Sequence, residues 1–170
     1  MTPKARYFWP LVLAVFLTDC TTKDLAVNHL IVAVPEDLLD SLLRLTLVHN
    51  PGTAFGIDLR PYLGDWSRTV LIVMMLTVLA TMLGIYWRTA PRARLLGAAI
   101  GLVCGGAAGN IFDRVRFPLG VVDFIDVGVN SHRFFIFNVA DVAITVGAAV
   151  LAFVQLRDDT GQLSARDAAA

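Results

Sequence analysis

The segment WSRTVLIVMMLTVLATMLGIYW, running from Trp66 to Trp87, decides the class of this chain. From Val70 to Leu83 it holds no charge, and it meets the roughly 20 apolar residues that a helix needs to cross a bilayer core. Tryptophan stands at both ends, where amphipathic rings sit at headgroup level. Three further segments read the same way: about Phe8–His29, interrupted by polar residues from Asp19 to Asp24, then Leu95–Phe112 and Asn138–Leu156. The expected fold class is mainly α, an integral membrane protein with four transmembrane helices.

Composition agrees. The 170 residues are 56% hydrophobic and 16% charged, against about 45–50% and about 25% in soluble domains. A soluble chain of this size lacks the volume to hide so much apolar surface. Net charge is zero, so no field points to nucleic acid or to a strongly charged partner. Cys20 and Cys104 lie in apolar stretches and read as small buried hydrophobes, not as a disulfide or zinc framework. His29, His49 and His132 are scattered, with neither HExxH nor CxxC, so no metal or cofactor is expected. The serines form no Gly-x-Ser-x-Gly elbow. The first apolar run leads into Asp19-Cys20-Thr21-Thr22-Lys23 rather than a small-residue cleavage site, so it is expected to stay as the first span.

Lys4 and Arg6 precede the first span, and Arg88, Arg92 and Arg94 crowd the turn between the second and third. The positive-inside rule places both in the cytoplasm, and with four spans the C-terminus as well. Residues 157–170 then read as a solvated, weakly ordered cytoplasmic tail. Arg114, Arg116 and Arg133 run against this count, but Asp113, Asp123 and Asp126 in the same region offer them ion pairs. The outer segment, about 30–65, is too long for a turn. Pro35-Glu36-Asp37 reads as a short helix start. Leu43, Leu45 and Leu47 alternate at strand period, and Asn50-Pro51-Gly52 marks a turn. Together these predict a small extracytoplasmic β-like platform on one membrane-embedded domain spanning residues 1–156.

The polar residues inside the spans carry the chemistry. Asp19 and Lys23 stand one turn apart, and Lys23 lies about 22 Å above Phe8 at ~1.5 Å per residue. The third span ends on a face holding Asn110, Asp113 and Arg114, and the fourth opens with Asn138-Val139-Ala140-Asp141. Three helices thus bring polar groups to one layer near the outer leaflet. For Asp19–Lys23 and Asp113–Arg114, ion pairing that glues helices explains the residues as well as function does. Asp123 and Asp141 differ, because no Lys or Arg lies within a turn of either. Two such carboxylates in proximity share a proton, one serving as base toward water and the other as acid toward a peptide carbonyl. Gly97, Gly101, Gly105 and Gly109 recur every four residues and read as a helix-packing ridge.

Five blocks then occur in order: Asp19-Cys20-Thr21-Thr22-Lys23, Asn50-Pro51-Gly52-Thr53-Ala54-Phe55, Gly105 to Arg114 (GGAAGNIFDR), Val121-Val122-Asp123-Phe124 and Phe137-Asn138-Val139-Ala140-Asp141. Together they resemble the signature blocks of lipoprotein signal peptidase, or signal peptidase II, of the bacterial inner membrane. The resemblance implies an aspartic endopeptidase that cuts the signal peptide of a prolipoprotein just before its diacylglyceryl cysteine, and that globomycin blocks. It implies catalytic roles for Asp123 and Asp141 and substrate-site support from Asn50, Gly52, Asn110, Arg114 and Asn138. Asp19, Lys23 and Asp113 become structural support. A monomer with membrane lipid and the precursor as its partners is expected, both termini lying in the cytoplasm. Thr53 stands where the family pattern has a small apolar residue, and the Arg114–Asp123 link, with Pro118, is about one residue longer. Both departures bear on substrate preference. The Leu38–Leu47 and Phe55–Tyr62 segments are expected to cover a site open to lipid.

Overall fold

The computed structural model describes residues 1–40, 42–52, 58–130 and 132–167, with side chains through Arg157. The helices are α1 (Ala5–His29), α2 (Arg60–Leu63), α3 (Trp66–Arg88), α4 (Arg94–Arg116) and α5 (Val139–Asp167). The strands are β1 (Glu36–Leu39), β2 (Leu43–Asn50), β3 (Val121–Val129) and β4 (His132–Arg133), antiparallel in that order.

Helix α4 is the centre of the bundle, touching α1, α3 and α5. In its most apolar window 61% of residues are buried, against 11% in α3 and 17% in α5. Glycine explains why α1 comes so close. A Cβ at Gly97 would meet Lys4, at Gly101 the Phe8 carbonyl, and at Gly105 both Val12 and Val15. Gly109 faces Asp19 in the same way. Bare backbone on one face of α4 lets α1 lie against it, and the two helices gain dispersion contacts across that seam.

Helices α3, α4 and the 139–157 part of α5 are long and apolar enough to cross a membrane. α3 and α5 leave Val73, Leu76, Val78, Val142, Val146 and Phe153 exposed, a surface suited to lipid. α1 has the length, 25 residues, but carries Asp19, Lys23 and Asp24. Asp19 and Lys23 are turned inward, 0% and 2% exposed.

Lys4 is buried at the start of α1, where its Nζ donates to the Tyr86 and Thr89 carbonyls at 2.6 Å each. It thereby caps the end of α3, a favourable place for a cation. Its backbone N–H donates to Pro91 O at 3.0 Å. The N-terminus and the Arg88–Arg94 turn therefore meet at one end of the bundle, and the sheet lies at the other. There Leu47, Val122 and Phe124 pack on Ala26 of α1.

The sheet contains the strand expected from the alternation of Leu43–Val48, and its β2–β3 ladder has an irregularity. Leu45 pairs with Ile125 and Val48 with Asp123, so β2 spends one more residue than β3 over that interval. This bulge explains why adjacent Thr46 and Leu47 are both buried, and it lies beside Asp123, as bulges often do at functional sites. One expectation is corrected. Pro35-Glu36-Asp37 does not start a helix: Glu36–Leu39 is β1, where Asp37 pairs with Arg44 across the ladder and as an ion pair at 2.6 Å. So short a segment cannot nucleate a helix against an available strand partner. The α5 backbone runs on past Arg157 to Asp167. Elongating a nucleated helix needs no second nucleus. Residues 53–57, including Thr53 and Phe55, lie outside the described residues.

Gly105→Leu should destabilise the protein by about 1–3 kcal/mol through overpacking at the α1–α4 seam. Gly84→Leu should not, because a Cβ at Gly84 would meet nothing within 4 Å. Thermal unfolding in one detergent checks the pair, and equal midpoints would refute the packing role of the ridge.

Candidate active site

Helix α5 begins with a reciprocal cap. Asn138 Oδ1 accepts the Asp141 N–H at 2.9 Å, and Asp141 Oδ2 accepts the Asn138 N–H at 3.2 Å. This is a capping box with asparagine and aspartate in the usual Ser/Thr and Glu places. A third first-turn donor, the Ala140 N–H, goes to Asp19 Oδ1 of α1 at 2.9 Å. The preceding residue is docked on the sheet, where Phe137 and Ile125 exchange backbone hydrogen bonds of 2.8 and 3.1 Å. Local pairing therefore lays the start of α5 beside Asp123 on β3.

Asp123 is 2% exposed. Its Oδ1 accepts from Asn138 Nδ2 at 2.6 Å and its Oδ2 from Asn50 Nδ2 at 3.0 Å. Asp141 Oδ1 accepts from Asn110 Nδ2 at 2.9 Å. Asn138 thus bonds both carboxylates, by side chain and by backbone.

Each of these asparagines is oriented by a group that can only donate. Lys23 Nζ takes Asn110 Oδ1 at 2.8 Å, the Asp141 N–H takes Asn138 Oδ1, and the Gly52 N–H takes Asn50 Oδ1 at 3.0 Å. Ammonium and backbone N–H have no acceptor to offer, so every amide must turn its NH₂ toward an aspartate. The site is a ring of donors closing on two acids.

Lys23 anchors that ring. Besides Asn110 it meets Asp19 Oδ2 at 2.7 Å and Asp113 Oδ2 at 3.0 Å. The Asp19 contact is a buried ion pair between residues one helical turn apart. Asp113 also accepts the Val122 N–H at 3.0 Å, tying α4 to β3. Of the two readings open for Asp113 and Arg114, an ion pair between them is not the one adopted. Adjacent side chains on a helix diverge, so Asp113 turns to α1 while Arg114 turns to the outer loop. Arg114 Nη2 donates to Gly52 O at 2.6 Å and Nη1 to Asn110 O at 3.4 Å, while its Nε has no partner among the described residues.

Asn50, Asn110, Arg114, Asp123 and Asp141 border one cavity of about 770 Å³. Its remaining wall is almost wholly apolar: Leu71, Met74, Met75 and Val78 from α3, Val103 and Ala107 from α4, Val146 from α5, and Phe134–Phe137. Burial raises the Asp123 carboxyl to about 7, the Asp141 charge adds to the rise, and the bonds from Asn50 and Asn138 oppose it. A carboxyl that keeps its proton to near neutral pH, with a second carboxylate bordering the same apolar trough, has the groups needed to polarise a carbonyl and activate a water. Among the described residues, no group of three or more His, Cys, Asp or Glu is arranged to hold a metal.

Some participants escape a linear reading. Arg68 of α3 donates to the Arg114 and Val115 carbonyls at 2.6 and 3.0 Å, capping the end of α4 behind Arg114. A cation at a span entrance reads as an interface residue, so nothing flags it. Met74 and Met75 sit in an apolar run whose trough-facing side has no mark in the sequence.

A model of the Signal peptidase (SPase) II family matches residues 11–157. The lipoprotein signal peptidase of Geobacter sulfurreducens is 35% identical over 164 residues, 94% of this chain and 97% of that protein. That of Geobacillus kaustophilus is 35% identical over 150 residues, 88% and 92% of the two chains. A bacterial membrane enzyme solved by the in meso method at 2.3 Å superposes with a TM-score of 0.78 at 26% identity, covering 89% of this chain and 88% of that one.

The carboxyl titration of Asp123 should have its midpoint near 7. In Asp141→Asn it should fall, because a charge that raises it is gone, yet stay above ~4, the ordinary aspartate value, because burial remains. Carbon-13 NMR of carboxyl-labelled protein in micelles reads both, and an unmoved midpoint would mean that the two acids do not feel each other.

Proposed function

The chain belongs to the signal peptidase II family and is a membrane peptidase that removes signal peptides from lipoprotein precursors, and we propose that Asp123 and Asp141 carry out the hydrolysis as a dyad sharing one proton. The observation that carries this reading is Asn138, which bonds both carboxylates at the edge of the apolar cavity. In the resting dyad the proton resides on Asp123, whose burial favours the neutral form, and Asp141 is the base. Asp141 takes a proton from water as the oxygen attacks the scissile carbonyl carbon, and Asp123 gives its proton to the carbonyl oxygen. The resulting gem-diol collapses as Asp141 passes its proton to the departing nitrogen and Asp123 recovers one from a hydroxyl. One water is consumed and the dyad returns to its starting state.

Asn50, Gly52, Asn110, Arg114 and Asn138 hold this arrangement and meet the peptide. The buried Arg114 Nε, unpartnered among the described residues, is free to donate to a substrate carbonyl. The apolar trough takes the signal helix and the acyl chains. α3 and α5 pack chiefly on α4, so the substrate enters between them from the lipid. The diacylglyceryl group sets its depth, each buried CH₂ contributing about 0.8 kcal/mol.

We further propose that α1 is a fourth span, made compatible with lipid by turning Asp19 and Lys23 inward. Both basic clusters lie at one end of the bundle, which supports a cytoplasmic N-terminus, α3–α4 turn and C-terminus in the inner membrane of a bacterium. The sheet and the dyad then face outward. Residues 1–156 act as one monomeric peptidase domain, and 157–170 as a cytoplasmic tail.

Cleavage of a lipidated precursor peptide in detergent tests the mechanism. Asp123→Asn and Asp141→Asn should each lose about 10²–10⁴-fold in rate, and the double variant little more. The unlipidated peptide should be cut far more slowly. Near-normal rates in both single variants would refute the dyad, and equal rates on the two peptides would refute selection by lipid. Membrane orientation is checked by cysteine labelling in whole cells. Asp65→Cys should react with an impermeant reagent and Thr89→Cys should not, and the reverse pattern would invert the topology.

A further inference from the structure

We propose that Asp19 is a positioning residue for the reaction: its carboxylate, lying in the gap left by Gly109, holds the Ala140 N–H and so sets the pose of Asp141. The proposal rests on the dyad reading and deepens it by assigning a role in the reaction to α1, a helix that contributes no residue to the cavity wall.

Asp19 is wholly buried, and its Oδ1 lies 2.9 Å from the Ala140 N. Ala140 belongs to the first turn of α5, one residue before Asp141. The first-turn N–H groups have no partner within their own helix. Asn138 supplies one acceptor and Asp141 a second, as the capping box, but neither reaches Ala140. Asp19 fills that place from another helix, as a carboxylate at the positive end of a helix dipole. The route between the helices exists because position 109 has no side chain, and a Cβ there would overlap Asp19 Oδ2. Its second oxygen lies 2.7 Å from Lys23, which in turn orients the Asn110 amide that donates to Asp141. Asp19 therefore acts on Asp141 along two paths, through the backbone of α5 and through Lys23 and Asn110.

The two paths separate chemically. Asp19→Asn keeps an oxygen for the Ala140 N–H and loses the charge that Lys23 faces. Asp19→Ala loses both. Gly109→Ala keeps the charge and displaces the carboxylate.

The test measures kcat and KM on a lipidated precursor peptide with purified full-length protein in detergent. Each variant is assayed below its own unfolding midpoint. Asp19→Ala and Gly109→Ala should lower kcat about 10- to 100-fold, the scale of an ångström-level misplacement, with KM within about twofold. Asp19→Asn should be less stable yet recover kcat to within about threefold of the parent. A folded Asp19→Ala or Gly109→Ala with parental kcat would overturn the proposal. So would Asp19→Asn no better than Asp19→Ala, since the charge pair and not the cap would then be what matters. If Asp19→Ala and Gly109→Ala both fail to fold, the Asp19→Asn result decides alone, a large loss of kcat counting against the cap. Asp141→Asn, run in parallel, separates the two ideas. A fast Asp141→Asn sinks the dyad itself, whereas an inactive Asp141→Asn beside a fast Asp19→Ala sinks only the positioning role.

Discussion

The ammonium of Lys23 is 2% exposed and is surrounded by Asp19, Asp113 and Asn110. Taking an ion of this kind out of water costs several kcal/mol, and only near-complete pairing offsets it. That requirement reaches well beyond one side chain. Asp113 must turn from its own helix toward α1, and in doing so it offers an oxygen to the Val122 N–H. Asn110 must present its oxygen to Lys23, and so its NH₂ to Asp141. One cation thus sets the registry of α1, α4 and β3 and the direction of a hydrogen bond at the site.

Such pairing demands that helices approach closely, and the glycines of α4 make this possible. Gly97 receives the backbone and Cβ of Lys4, Gly101 and Gly105 the backbone and Cβ atoms of α1, and Gly109 the carboxylate of Asp19. On α4's other side, a Cβ at Gly106 would meet the Ala140 carbonyl, so α5 too is seated on bare backbone. The helix with the smallest side chains becomes the axis on which the polar residues of its neighbours converge.

The same dryness that makes Lys23 demanding gives Asp123 its chemistry. A carboxyl placed among Val121, Val122 and Phe124, and near a second acid, holds its proton to about 7, where an exposed aspartate would have lost it near ~4. The donors from Asn50 and Asn138 keep that proton from being bound still more tightly. Burial and hydrogen bonding pull in opposite directions, and their balance leaves the group able both to give and to regain a proton at neutral pH.

Much of this was legible in the chain. Apolar runs of spanning length determine that Trp66–Trp87, Leu95–Phe112 and Asn138–Leu156 are helices, because a backbone in lipid has to satisfy its own hydrogen bonds. Polar residues in otherwise apolar segments marked Asp19, Lys23, Asn110, Asp113 and Asp141 for the same reason, since each is costly there unless it has a partner. The strand period of Leu43–Val48 was equally local. What the sequence could not contain is who meets whom. Asp113 has Arg114 beside it in sequence and Lys23 beside it in space; Pro35-Glu36-Asp37 carries helix-start residues and becomes a strand because β2 lies alongside. The bulge next to Asp123, the cap that Asp19 provides to α5 and the place of Arg68 behind Arg114 all depend on contacts between residues far apart in the chain. Burial by single segments was therefore determined by the sequence itself, while donor-to-acceptor pairing across segments was decided only when the tertiary structure brought the helices and the sheet together.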